Sequence, residues 1–185
     1  MVVAAAKAMP VEEFQARPEE RGEYDFELRG GEAVPVTRPK LKHSLLQRRL
    51  FKLLEPIVEA TGWVDTEVAF RALPENELLM ADVAFVRNAR FEQADPEDNI
   101  QGAPDLVIEV LSPSNSAEMF ERERLCLENG CEEFWVVDAE SRTIRVVRQW
   151  SGPVTYPSGS NIPLPMFGGA SLAVDAVFES RAIKT

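Results

Sequence analysis

Gly102-Ala103-Pro104-Asp105-Leu106-Val107-Ile108-Glu109-Val110-Leu111-Ser112-Pro113 is the stretch whose reading decides the architecture. Leu106 to Leu111 is a short apolar run, closed by Pro104 on one side and by Ser112-Pro113-Ser114-Asn115 on the other. A Val- and Ile-rich run of that length between breakers reads as a strand buried on both faces. Glu109 lies in the middle of it. A carboxylate there loses hydration and needs a cation or strong donors beside it. Without them its pKa rises until it is neutral. A bound metal, an arginine partner and a protonated acid are the three ways out.

Working outward, Leu78 to Val86 is a second apolar strand with one carboxylate, Asp82. Ser116 to Asn129 reads as a helix that starts in the Ser/Asn-rich turn and stops at Gly130. Glu133 to Asp138 is a strand, and Thr143 to Val147 pairs with it across a turn. Gly152 to Gly169 reads as loop, and Ser171 to Phe178 closes the fold. Toward the N-terminus, Trp63 to Leu73 is a strand joined to the next by the turn at Pro74, and Arg87 to Ala103 is a polar loop. Leu41 to Ala60 is the strongest helix, with Leu46, Leu50, Leu53, Leu54, Ile57 and Val58 at three- and four-residue spacing. Arg38, Lys40, Lys42, Arg48, Arg49 and Lys52 precede it or line its other side, either as a solvated face or as a phosphate-facing surface. Two runs flanking Arg29-Gly30-Gly31 read as a hairpin, with Pro35 placing the second strand at an edge.

The expected architecture is mixed α/β in one domain over residues 21–185, after a frayed lead-in over residues 1–20. The 185 residues, 45% of them hydrophobic, suffice for one core. Val2 to Ala6 is too short for the apolar region of a signal peptide, and no membrane segment is expected. Cys126 and Cys131 cannot make a disulfide framework and read as inert thiols, and the lone His43 rules out ordinary His-rich zinc sites. A reducing, cytoplasmic location is expected. The net charge of −11 argues against non-specific nucleic-acid binding by the whole surface, though not against a local basic patch.

If the strands carrying Asp82 and Glu109 pair antiparallel with those residues opposite, their Cβ atoms lie roughly 4.5–5.5 Å apart. Such a pair can hold one Mg²⁺. Asp105 would face the same side as Glu109, but four residues along a strand is roughly 13 Å, so it reads as a turn-capping residue after Pro104. The alternative for Glu109 is a buried salt bridge with Arg122 or Arg124.

Three segments together resemble the Uma2 family: Ala81-Asp82-Val83-Ala84-Phe85-Val86, Pro104 through Ser114, and Gly130-Cys131-Glu132-Glu133-Phe134-Trp135-Val136-Val137-Asp138. The resemblance runs from about Val11 to Phe178 and takes in Gly31-Glu32 and His43. It implies a restriction-endonuclease-like PD-(D/E)xK fold: a mixed central β-sheet flanked by helices, with an N-terminal β-hairpin. It also implies a Mg²⁺- or Mn²⁺-dependent phosphodiesterase site with Asp82 and Glu109 as ligands. The motif lysine place, moved onto the following helix, falls on Arg122; Glu118 and Cys126 take the acid and tyrosine places around it. No lysine lies between 53 and 183, and arginine cannot serve as a general base. Arg122 could hold a phosphate, or neutralise Glu109 and leave a dead site. His43 could touch water or phosphate at the site, or make a backbone hydrogen bond in the first helical turn.

The expected function is a metal-dependent endonuclease acting on nucleic acid, in the first place DNA. Asp82, Glu109, Arg122 and His43 form its site, and Arg48, Arg49 and Lys52 guide the phosphate backbone. The alternatives are a catalytically silent relative that binds DNA or protein, and a structural dimer. A homodimer fits all three, since most soluble oligomers are symmetric dimers.

Overall fold

The computed structural model describes residues 8–17, 24–37, 39–73, 75–112 and 115–179. Arg38, Pro74, Pro113, Ser114, Lys7 and Lys184 lie outside them, as do residues 1–7 and 18–20 of the expected lead-in. In chain order the elements begin with α1 (Val11–Gln15), β1 (Tyr24–Arg29), β2 (Glu32–Thr37) and α2 (Leu41–Val58). They continue with β3 (Gly62–Arg71), β4 (Leu79–Arg87), α3 (Asn88–Phe91), β5 (Ile100–Gln101), β6 (Leu106–Val110) and α4 (Met119–Glu128). The last are β7 (Glu133–Asp138), β8 (Thr143–Arg148), β9 (Ser151–Pro157), β10 (Asn161–Leu164), β11 (Ala170–Ala173) and α5 (Val174–Phe178).

A seven-stranded sheet in the order β5-β3-β4-β6-β7-β8-β9 forms the frame. The β6–β7 and β3–β5 pairs are parallel and the rest antiparallel. α4 makes the crossover that a parallel β6–β7 pair requires. β6 stands fourth of seven, so all five of its residues are buried, which is the physical basis of the continuous apolar run read in the sequence. On one face Leu50, Leu54, Phe85, Trp135, Ile162 and Val174 pack in a core contributed by α2, the sheet, β10 and α5. On the other, Met119 and Cys126 of α4 pack against Ala84, Val107 and Phe134.

The helix α2 follows its leucine spacing: Leu46, Leu50, Leu54 and Val58 are buried. The β1–β2 hairpin turns at Gly30 and Gly31, both with left-handed φ (56° and 79°), as a two-residue turn between antiparallel strands requires. A Cβ on Gly31 would also lie 2.5 Å from that of Ala8, so only glycine fits. The hairpin is a separate two-stranded sheet joined to β4 through the Leu28–Leu78 bridge.

Three expectations change. Residues 8–17 are docked: Val11 is fully buried, and Glu12 and Gln15 accept hydrogen bonds from the guanidinium of Arg71. The expected loop at 152–169 contains β9 and β10. β9 is an exposed edge strand held by pairing to β8, so no apolar alternation marked it, and Pro153 and Pro157 concealed it further. The polar 87–103 segment contains the short α3 and β5. Cys126 and Cys131 are free and fully buried, and burial pushes the Cys126 thiol up to about 12, so both are inert as expected.

Candidate active site

β4 and β6 pair in register from Phe85–Leu106 to Val83–Ile108. Continued one residue further that register would set Asp82 against Glu109, but the ladder ends before them. The two strands part at this point, and the Val110 N–H donates to Asp82 Oδ2 at 2.6 Å. On its other side Asp82 faces Glu67, and theirs is the pair missing from an otherwise continuous β3–β4 register. Glu67 has a left-handed φ of 55°, rare for a residue with a side chain. The face alternation of β4 switches here too: Ala81 packs on the α4 side, and Val83 on the α2 side. A sheet irregularity thus delivers the carboxylate into the opening between strands.

Two residues one turn apart on α2 hold Asp82 from the other direction. His43 Nε2 and Gln47 Nε2 each donate to Oδ1 at 2.8 Å. Because a carboxylate only accepts, His43 carries a proton on Nε2. His43 is therefore part of the site rather than a capping residue of the first turn, although its backbone N–H does bond to Lys40. Gln47 is 4% exposed and escaped the sequence reading, yet its spacing of four from His43 on one helix was the available signal.

Glu109 is also 4% exposed, and Arg122 Nε donates to its Oε1 at 2.8 Å. The same guanidinium grips Glu27 of β1 end-on. One terminal nitrogen of Arg122 bonds Oε2 at 3.0 Å, and the other bonds Oε1 at 2.6 Å and the Met80 carbonyl at 2.5 Å. Four of the five N–H groups of an arginine are thereby engaged. Glu27 further accepts from the Met80 N–H at 2.9 Å and from Arg29. Arg29 also reaches Glu118 across the mouth of the site.

Burial raises both carboxylates beside Arg122, and its one positive charge offsets that rise unequally. Burial would raise Glu27, but the charge and hydrogen bonds of Arg122, with the Met80 N–H, hold it down at about 2. Burial raises Glu109, and Arg122 does not cancel it because Asp82 and Glu27 push the same way; its pKa stands at about 8. The 2.8 Å bond to Arg122 and the raised pKa are compatible, since Glu109 receives only one of the four hydrogen bonds that Arg122 donates. Glu27 was missed in the sequence because an acid alternating with Phe26 and Leu28 on a hairpin reads as a solvent-facing residue.

These groups open on a cleft of about 1530 Å³ between the hairpin, the start of α2 and the start of α4. Eleven carboxylates and five Lys or Arg side chains line it, so its walls are acidic. Lys40 and Lys42 line it, whereas Arg48, Arg49 and Lys52 do not; Arg48 and Lys52 are exposed further along α2 and Arg49 is half-buried. Asp105 lies at the opposite end of β6, paired with Arg87 and Arg90, and takes no part.

A mixed sheet flanked by helices, with acidic residues where its central strands part beside a cleft, defines the class of restriction-endonuclease-like folds. The chain belongs to the Uma2 family, whose model, described as "Putative restriction endonuclease", matches residues 11–175. Among solved structures it is similar to a crystal structure from Anabaena variabilis ATCC 29413, described as "a putative nuclease belonging to DUF820". The two share 21% identity with a TM-score of 0.78, over 92% of this chain and 97% of that one, which establishes the shared fold. No curated protein matches the chain. Among the described residues no helix is long and apolar enough to cross a membrane.

Proposed function

We propose that this protein is a divalent-metal-dependent endonuclease that hydrolyses phosphodiester bonds in DNA, with Asp82 and Glu109 as the metal carboxylates. The observation that carries this reading is that Asp82 bonds the Val110 N–H, next to Glu109, where the β4–β6 ladder ends beside the cleft both carboxylates line. The donor set fits Mg²⁺ or Mn²⁺: a hard ion takes one or two carboxylates and keeps water elsewhere. A carboxylate offers about four lone-pair sites. Asp82 uses three of them and Glu109 one among the described residues, so both retain capacity. When bound, such an ion supplies charge to phosphate oxygens and acidifies water.

His43 and Gln47 orient Asp82 and fix its rotamer. Lys40 and Lys42, at the start of α2, meet the approaching phosphate backbone inside the cleft, and Arg48, Arg49 and Lys52 meet it beyond. Arg122 has one N–H left for a phosphate oxygen, too little for a bidentate clamp. No lysine lies between 53 and 183, so neither β6 nor α4 carries one.

A second reading is favoured by the Arg122–Glu109 salt bridge. In that reading arginine serves as the site's permanent cation, and the protein is a silent relative that binds DNA or another protein. Cleavage of supercoiled plasmid with Mg²⁺ or Mn²⁺, run beside Mn²⁺ calorimetry, separates the two. The nuclease reading expects cutting by wild type that is lost in Asp82→Ala and Glu109→Ala. No cutting together with no Mn²⁺ binding would leave the silent relative.

A further inference from the structure

Arg122 can meet a carboxylate in two ways, and the structure shows both at once. It binds Glu27 end-on through its two terminal nitrogens, and Glu109 through Nε alone. The side-on fork of arginine pairs Nε with the neighbouring terminal nitrogen, and that nitrogen is the one bonded to Glu27 Oε1 and the Met80 carbonyl. Glu109 therefore receives half of a fork, and its Oε2 has no hydrogen bond from any described residue. We infer that Glu27 is a positioning residue that restrains Arg122 and so keeps Glu109 Oε2 free for a divalent cation.

Three features of the structure support this role. Glu27 is 4% exposed and tied to β4 through the Met80 N–H, so it is a fixed anchor rather than a surface acid that happens to be near. Its strand is locked to the rest of the molecule by the Leu28–Leu78 bridge and by the Gly31 N–H bonded to the Asn76 carbonyl. Among the described residues Arg122 forms ion pairs only with Glu27 and Glu109, so once Glu27 is removed Glu109 is its remaining carboxylate partner, beside the Met80 carbonyl. Once both oxygens of Glu109 are bound to arginine, they are poor ligands, and Asp82 alone would remain. The hairpin thereby decides the state of a site to which it contributes no ligand. This inference rests on the metal reading of the site for its consequence, and on Arg122 geometry alone for its cause.

The test has two arms. In the first, a crystal structure of Glu27→Gln is expected to show Arg122 turned so that Nε and a terminal nitrogen bond both oxygens of Glu109. Should that variant not fold, Glu27→Asp retracts the carboxylate while keeping its charge, and the same rotation is expected. Arg122 still bonding Glu109 through Nε alone overturns the inference whatever the metal does. In the second, Mn²⁺ calorimetry at fixed pH is expected to show at least tenfold weaker binding by Glu27→Gln. Binding is expected to recover to within about threefold of wild type in Glu27→Gln/Arg122→Met, because the side chain that closes on Glu109 is gone. A purely structural role for Glu27 would not be rescued by removing a second buried group; equal affinity in wild type and Glu27→Gln, or no rescue, overturns the inference. No Mn²⁺ binding by wild type overturns the metal reading, and the crystallographic arm then decides the inference by itself.

Discussion

One guanidinium, that of Arg122, lies between two carboxylates of very different proton affinity: burial keeps Glu109 up at about 8 against its pull, while it helps hold Glu27 down at about 2. The consequences for stability have opposite signs. Glu27 is lowered, so its contribution is present above the ordinary carboxylate range and is lost as pH falls toward 2. Glu109 is raised, so the folded state keeps a proton that the unfolded chain has released, and stability declines as pH rises from that range to about 8. Denaturant unfolding across pH is expected to show wild type exceeding Glu27→Gln by on the order of 3 kcal/mol near pH 6, with the gap shrinking toward pH 2. Arg122→Lys is expected to lose about 3 kcal/mol by the same measurement, because three donors on a point charge cannot reproduce the four hydrogen bonds that Arg122 makes to Glu27, Glu109 and the Met80 carbonyl. The Arg122→Lys variant thus has to be compared with wild type at matched fraction folded before its cleavage is judged.

At the scale of elements, the site depends on where two regular structures stop being regular. The β4–β6 ladder ends at Val83–Ile108, and the β3–β4 ladder skips Glu67–Asp82, so Asp82 is free to bond across the gap to the Val110 N–H. The helix α2 supplies the opposing grip with His43 and Gln47, one turn apart. Groups that orient a metal carboxylate without binding the ion typically govern affinity by about 10–100-fold. Gln47→Leu, which keeps the volume and removes the donor, is expected to weaken Mn²⁺ binding by about that range in calorimetry while the thermal midpoint moves little. An unchanged affinity would show that His43 and the Val110 N–H hold Asp82 without help.

For the whole molecule, charge distribution governs what can enter. The net charge is −11, and the cleft itself is walled by more than twice as many acids as bases. A nucleic-acid backbone is repelled there except along the start of α2, where Lys40 and Lys42 stand. Lys42→Ala is expected to weaken DNA binding about equally for all sequences and to reduce the slope of log affinity against log salt by about 1, measured by fluorescence anisotropy over a salt series. An unchanged slope would move the backbone path to Arg48 and Lys52. The architecture was legible in local patterns: the buried strand at Leu106–Val110, the leucine spacing of α2 and the Gly30-Gly31 turn each declare themselves over a few residues. So was the pairing of the strands beside Asp82 and Glu109, since register follows from two apolar runs that must bury together. Edge strand β9 was not, because backbone pairing leaves no trace in side chains that face solvent. The sequence by itself determined the fold and the family. Only the tertiary structure decided that Glu27, 82 residues before Glu109, shares its arginine, because a charge network is set by distances through space and no spacing along the chain encodes them.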